Sequence, residues 1–244
     1  MRKNFHEANY TTLALEIFVV MAGILIAFQI DRWAEASRDR EREQQYLVRL
    51  KADFIHEIGQ MDVALAYAEA RLASVTLLVR VVVDPDAAAE QPDAVLNAIE
   101  TATWLTFPET SAFVYGELQN SGQLGLIRSQ SLRRALAAHY VSMDHEARIG
   151  FDDDIEELFV RRTAGVLTLA ELLRIEMTDG EVESENTSAA RAVEVATELA
   201  ARADAVALLP SLAQHHTFNG KVIAAGRERA ILIIEEIDVL LEED

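Results

Sequence analysis

Apolar and polar positions divide the chain into a polar start, an unbroken apolar run, a charged stretch and a long region of helical periodicity. Residues 13–30 hold two strongly polar members, Glu16 and Gln29. At 1.5 Å per residue this run covers about 27 Å, close to the hydrocarbon thickness of a bilayer. Tyr10 and Trp33 flank it as interfacial aromatics do. A cleaved signal peptide has a shorter apolar core, and here Asp31 and Arg32 interrupt the approach to the small-residue triplet Ala34-Glu35-Ala36. The expectation is a tail over residues 1–12 and a retained transmembrane anchor over residues 13–33.

Residues 34–46 alternate in charge sign without a helix breaker, which predicts a solvated helical neck. Beyond it, Leu47, Phe54, Met61, Ala68, Val75 and Val82 recur every seven residues, and Ile58, Leu65, Leu72 and Val79 form a second set. Together they predict an a/d seam on one helix running from the anchor to Val83, stopped by Asp84-Pro85-Asp86. Residues 84–92 then form a loop, and Pro92 starts a helix that Phe107-Pro108 breaks. Thr110 or Ser111 caps the next, which ends at Asn120-Ser121-Gly122. After a short apolar connector, Ser129 or Ser131 opens one long helix to about Met177, with Gly150 as a kink point. The acidic segment 178–187 reads as a loop, residues 188–209 as an Ala-rich helix, and Pro210 as a kink or break before a final helix. The predicted fold is all-α: a transmembrane helix continuing into a long helix that packs in an antiparallel bundle of about four or five helices over residues 47–244.

Helical projection places Glu16, Val20, Gly23 and Ala27 on one stripe of the anchor. Gly23 and Ala27 have the small-xxx-small spacing that lets two helix backbones approach. A carboxylate in lipid is costly and normally faces protein or water, so this stripe is the expected helix-contact face.

Composition narrows the function. The chain has 244 residues, no Cys, 10 Gly, 4 Pro and a net charge of −19. That charge argues against a general nucleic-acid binder, which releases counterions from phosphates with basic surface. Without Cys there are no disulfides, thiolate metal sites or cysteine nucleophiles. Asp53-x-x-His56 is a single near miss to a di-iron signature that requires Glu-x-x-His on two helices. Asp144-His145-Glu146 with Asp152, Asp153 and Asp154 lacks the Gly-centred loop of a calcium site and reads as a wet helix face. His215-His216 reads as a surface bend or interface. No phosphate-binding loop or nucleophile elbow is present. The expectation is no enzyme, no cofactor and no metal.

Two stretches carry a resemblance: GILIAFQIDRWAE at residues 23–35 and SAFVYGELQNSGQLGLIRSQSLRRAL at residues 111–136. They resemble an uncharacterised family of bacterial single-pass inner-membrane proteins, with no activity to transfer. The resemblance implies a bacterial inner-membrane location and marks ELQNSGQLGLI as a structural hallmark. Asn120, Gly122, Gln123 and Arg128 are its candidate ligand residues, with a tight interhelical turn as the other reading. The expected role is a membrane-anchored structural or accessory subunit whose partners are the bilayer and other membrane-protein helices, of its own kind or of a larger complex. The basic start places the soluble domain in the periplasm, whereas Lys and Arg counted alone, with Arg32, Arg38, Arg40 and Arg42 after the span, place it in the cytoplasm; the periplasm is the expectation and the cytoplasm the alternative. The alternatives are a sensor binding a small ligand in its bundle, or an oligomeric pore.

Overall fold

The computed structural model describes the backbone of residues 4–104, 108, 112–150, 155–176 and 187–242; the side chains of residues 4–12, 144–150 and 176 lie outside that description. Every regular element among the described residues is helical. The order is α1 Asn4–Val83, α2 Pro92–Thr101, α3 Phe113–Asn120, α4 Gln130–Gly150, α5 Ile155–Thr163, α6 Leu169–Glu176, α7 Ala189–Ala200, α8 Ala203–Val206 and α9 Leu209–Glu242. Short 3-10 turns occupy Pro85–Glu90 and Leu124–Leu126.

α1 is a single helix of 80 residues, about 120 Å long. It contains no Pro, and its Ala, Leu, Glu and Arg content favours helix throughout. It stops where expected: Asp84 is extended (φ −134°, ψ 90°), the conformation a residue before Pro prefers.

α9 runs antiparallel along the second half of α1, and the core forms in three stations between them. Nearest the anchor, Leu47, Leu50 and Phe54 pack with Leu118 of α3, Leu132 and Leu136 of α4, and Ile233 and Ile237 of α9. Met61, Ala64, Met143 and Ile223 form the middle station. At the far end, Val75, Leu78 and Val81 pack with Ile99 of α2, Phe159 of α5, Leu199 of α7 and Leu212 of α9. Each fully buried Leu, Val or Phe contributes roughly 1.5–3 kcal/mol.

Residues 13–42 of α1 lie outside these stations. Their large apolar side chains are between 52% (Ile24) and 72% (Trp33) exposed. This is the one helix among the described residues that is long and apolar enough to cross a membrane.

The structure corrects the sequence reading at several points. Leu47, Phe54, Met61, Ala68 and Val75 are buried, but Ile58, Leu65 and Leu72 are only half-buried and Val79 is exposed. The second buried row is instead Glu43, Leu50, Glu57, Ala64, Arg71 and Leu78. The neck is therefore solvated only as far as Arg42. The single helix expected from residue 129 to 177 is broken between α5 and α6. Gly165 takes φ 84°, a left-handed conformation that disfavours side chains. Thr168 and Glu171 then form a reciprocal cap: the Thr168 N–H donates to Glu171 Oε2 at 2.7 Å, and the Glu171 N–H to Thr168 Oγ1 at 3.3 Å. The Ala-rich helix ends at Ala200, and Pro210 sits in the first turn of α9, where a missing N–H costs no bond. Thr110, Ser111 and residues 178–186 lie outside the described residues.

Arg191 on α7 clamps this cap. Its Nε donates to Glu171 Oε1 at 2.9 Å and its Nη2 to Glu171 Oε2 at 3.1 Å. Hydrogen bonds from Arg191, then from Thr168, hold the largely buried Glu171 carboxyl down to about 2. Its pKa is lower folded than unfolded, so its stabilisation is full above about pH 4.5 and fades as pH falls toward about 2. Glu171→Gln is expected to cost about 1–3 kcal/mol at pH 7. In urea melts that cost shrinks as pH falls from about 5 to about 2; a cost independent of pH would contradict the clamp.

Candidate functional site

The second buried row of α1 alternates charge and apolar groups. Glu43 (2% exposed), Glu57 (0%) and Arg71 (6%) are fourteen residues apart, with Leu50 and Ala64 between them and Leu78 seven residues beyond. Four helical turns separate successive charges, about 21 Å. A buried charge is strongly unfavourable unless it is met by a partner. Glu43 and Glu57 are each met by a side chain from later in the chain, so each marks one register between α1 and the rest of the bundle, whereas Arg71 meets ring faces alone.

Glu43 meets the turn after α3. That turn is built by a Schellman closure: the Gln123 N–H donates to the Leu118 carbonyl at 2.9 Å and the Gly122 N–H to the Gln119 carbonyl at 3.2 Å. Gly122 takes φ 69°, which explains the glycine. Ile127, fully buried, pins the connector. The next residue, Arg128, then faces Glu43: its backbone N–H donates to Oε1 at 2.6 Å and its Nε donates to Oε2. On the same side, Tyr46 Oη lies 3.0 Å from Glu117 and 3.2 Å from the Gln123 side chain. Arg49, and then the Tyr46 hydroxyl, hold the Glu117 carboxyl below its ordinary value. Of the four hallmark residues, Gly122, Gln123 and Arg128 thus join the turn to α1, while Asn120 is exposed.

Glu57 meets α4. His139 Nε2 and Glu57 Oε1 are 2.8 Å apart, and both side chains are fully buried. Phe54 and Tyr140 each present an edge to the His139 ring at 5.2 Å. Burial, then the neighbouring Glu57 and Asp53, push the Tyr140 hydroxyl above its ordinary value. Glu57 Oε2 and His139 Nδ1 have no hydrogen-bond partner among the described residues. Asp53 accepts the Val114 N–H at 3.0 Å, joining α1 to α3, and His56 is exposed. The near miss Asp53-x-x-His56 therefore gathers no ligand set.

Arg71 lies between aromatic rings. Its guanidinium carbon is 5.4 Å from the Tyr67 ring centre and 5.1 Å from that of Trp104. Nearby, His216 Nε2 is 2.6 Å from the Ala102 carbonyl and donates to it. Burial lowers the His216 pKa, and the neighbouring His215 and Arg71 lower it further. His215 and His216 are both buried, on the inner face of α9 rather than at a surface bend. They belong to a helix that begins before Pro210, and this puts them under α2.

The anchor stripe is arranged otherwise. Glu16, Val20, Gly23 and Ala27 are exposed, and nothing stands within 4 Å of a Cβ placed on Gly23. Asp144, His145, Glu146 and Asp152–Asp154 fall outside the described side chains, and the described residues contain no metal-binding cluster of three His, Asp or Glu.

If Glu57 and His139 are a matched pair, breaking it costs far more than removing it. Glu57→Leu alone is expected to destabilise by about 3–5 kcal/mol, and Glu57→Leu with His139→Leu to recover most of that loss. Urea titration of the two single variants and the double variant measures the coupling. Simple additivity would contradict it.

No curated protein and no solved structure matches the chain. Residues 16–157, which span Glu16, most of α1, α2, α3 and α4, match one protein family. That stretch holds Glu43, Glu57 and Arg71, together with Arg128 and His139. The chain belongs to the family of unknown function DUF6090.

Proposed function

We propose that this chain is a non-enzymatic, membrane-anchored interaction module, a structural or accessory subunit that works through helix contacts in a larger membrane assembly or with copies of itself. One observation carries the reading: the exposed apolar residues 13–33 and the core row from Glu43 to Leu78 belong to the same unbroken helix. Whatever holds the anchor therefore fixes the position and direction of the domain. The open stripe of Glu16, Val20, Gly23 and Ala27 supplies a surface for a second helix, with small residues for close approach and a carboxylate for an interhelical hydrogen bond. The resemblance at residues 23–35 and 111–136 supports a bacterial inner membrane, and the basic Arg2-Lys3 start supports a periplasmic domain.

Gentle solubilisation from native membranes, followed by sizing, tests this. The protein is expected to travel in an assembly larger than a monomer. Glu16→Leu should weaken assembly by about tenfold through loss of one interhelical hydrogen bond, and Gly23→Ile should lower the assembled fraction by blocking close approach of the backbones. Recovery of the wild type as a lone monomer would remove the reading. Because the chain lacks Cys, an Ala66→Cys variant reports sidedness: an impermeant maleimide should label it from the periplasm and would not if the domain were cytoplasmic.

A further inference from the structure

The three buried charges on α1 are not equally answered. Glu43 has Arg128, and Glu57 has His139. Arg71 is 6% exposed, yet among the described residues it makes no ion pair and no hydrogen bond, and its Nε is buried without a partner. Among the described residues, the side chains around it supply no anion. Tyr67 and Trp104 offer ring faces. The Ser74 and Thr101 hydroxyls lie 3.2 Å from each other and reach the backbone carbonyls of Ala70 and Asn97. His216 is occupied with the Ala102 carbonyl.

A guanidinium carries five donors in a planar fork. Two ring faces offset part of its desolvation by about 0.5–2 kcal/mol, but they satisfy none of those donors. The remaining edge matches an oxyanion held by two parallel hydrogen bonds. In a chain of net charge −19, a buried cation with no carboxylate partner among the described residues is the reverse of what chance would give.

We propose that Arg71, held between Tyr67 and Trp104, is the binding site for the carboxylate group of a small-molecule ligand. The charge count selects the class. One guanidinium neutralises one negative charge, whereas a phosphate dianion would leave a second charge buried and unpaired. Burial, and then the neighbouring His215 and Arg71, lower the His216 pKa, which disfavours a second positive charge there. The ligand would sit where α1, the end of α2 and α9 meet, against the far station of the core. The site does not depend on what the anchor contacts, so it stands or falls separately from the assembly role.

Trp104 is a built-in reporter, because Trp33 is the other tryptophan of the chain and Trp33→Phe silences it. The full chain, reconstituted in nanodiscs with that background, is titrated with sodium acetate and sodium butyrate, and with sodium phosphate, at constant ionic strength set by chloride. The carboxylates should shift Trp104 emission saturably and raise the melting temperature. Arg71→Met should abolish both effects. In carboxylate-free buffer it should melt no lower than wild type, because it removes a buried charge that has no ion pair among the described residues. Four results would overturn the site: no saturable response to either carboxylate, an undiminished response in Arg71→Met, a marked drop in the melting temperature of Arg71→Met, or tighter binding of phosphate than of acetate.

Discussion

Three charged side chains sit in a row of α1 that faces the rest of the bundle, and the fold meets the two carboxylates with Arg128 and His139. A bundle needs about two rows of apolar groups on its central helix, and here one of those rows is half charged. Sliding α4 by one turn along α1 would keep much of the apolar contact. It would also separate His139 from Glu57 and leave a carboxylate buried alone, at several kcal/mol. The apolar row at Leu47, Phe54, Met61, Ala68 and Val75 supplies the burial. The charged row supplies the register.

That division explains how the smaller elements are placed. The turn between α3 and α4 is closed by its own backbone and then fastened to Glu43 by Arg128. The break between α5 and α6 is fastened to α7 through Glu171 and Arg191. Both turns need one glycine with positive φ and one carboxylate. The bundle thus grips α1 from Glu43 to the far end, while the segment before it, apolar to Trp33 and charged from there to Arg42, stays outside the core. The apolar segment and the domain share one helix with no break between them, so the direction of one fixes the direction of the other.

The sequence disclosed the parts that depend on apolar periodicity and on proline. The first buried row, the end of α1 at Asp84-Pro85 and the Gly122 turn are all legible from residue type and spacing. The charged row is not, because a glutamate or arginine at a helical position is ordinarily a wet one. A signal was present, since Glu43, Glu57 and Arg71 keep a seven-residue register with Leu50, Ala64 and Leu78. Its meaning depends on partners 85 and 82 residues away for the two glutamates, which spacing cannot name. The break at Gly165 was also signalled, by a glycine followed by Thr168-x-x-Glu171, but the surrounding residues have helical propensity and hid it. His215 and His216 were misplaced because Pro210 was read as a bend. In the first turn of a helix a proline is a beginning, and the residues one turn later point inward.

The central claim is that anchor, neck and domain share one straight helix. The chain has no native cysteine, so spin labels at Ser37→Cys and Ala66→Cys, both exposed positions of α1, measure it directly by pulsed electron spin resonance in nanodiscs. An unbroken helix predicts a single narrow distance distribution, with the backbones about 44 Å apart. A broad distribution, or one centred well below that length, would mean that the helix breaks between neck and domain and would contradict the account.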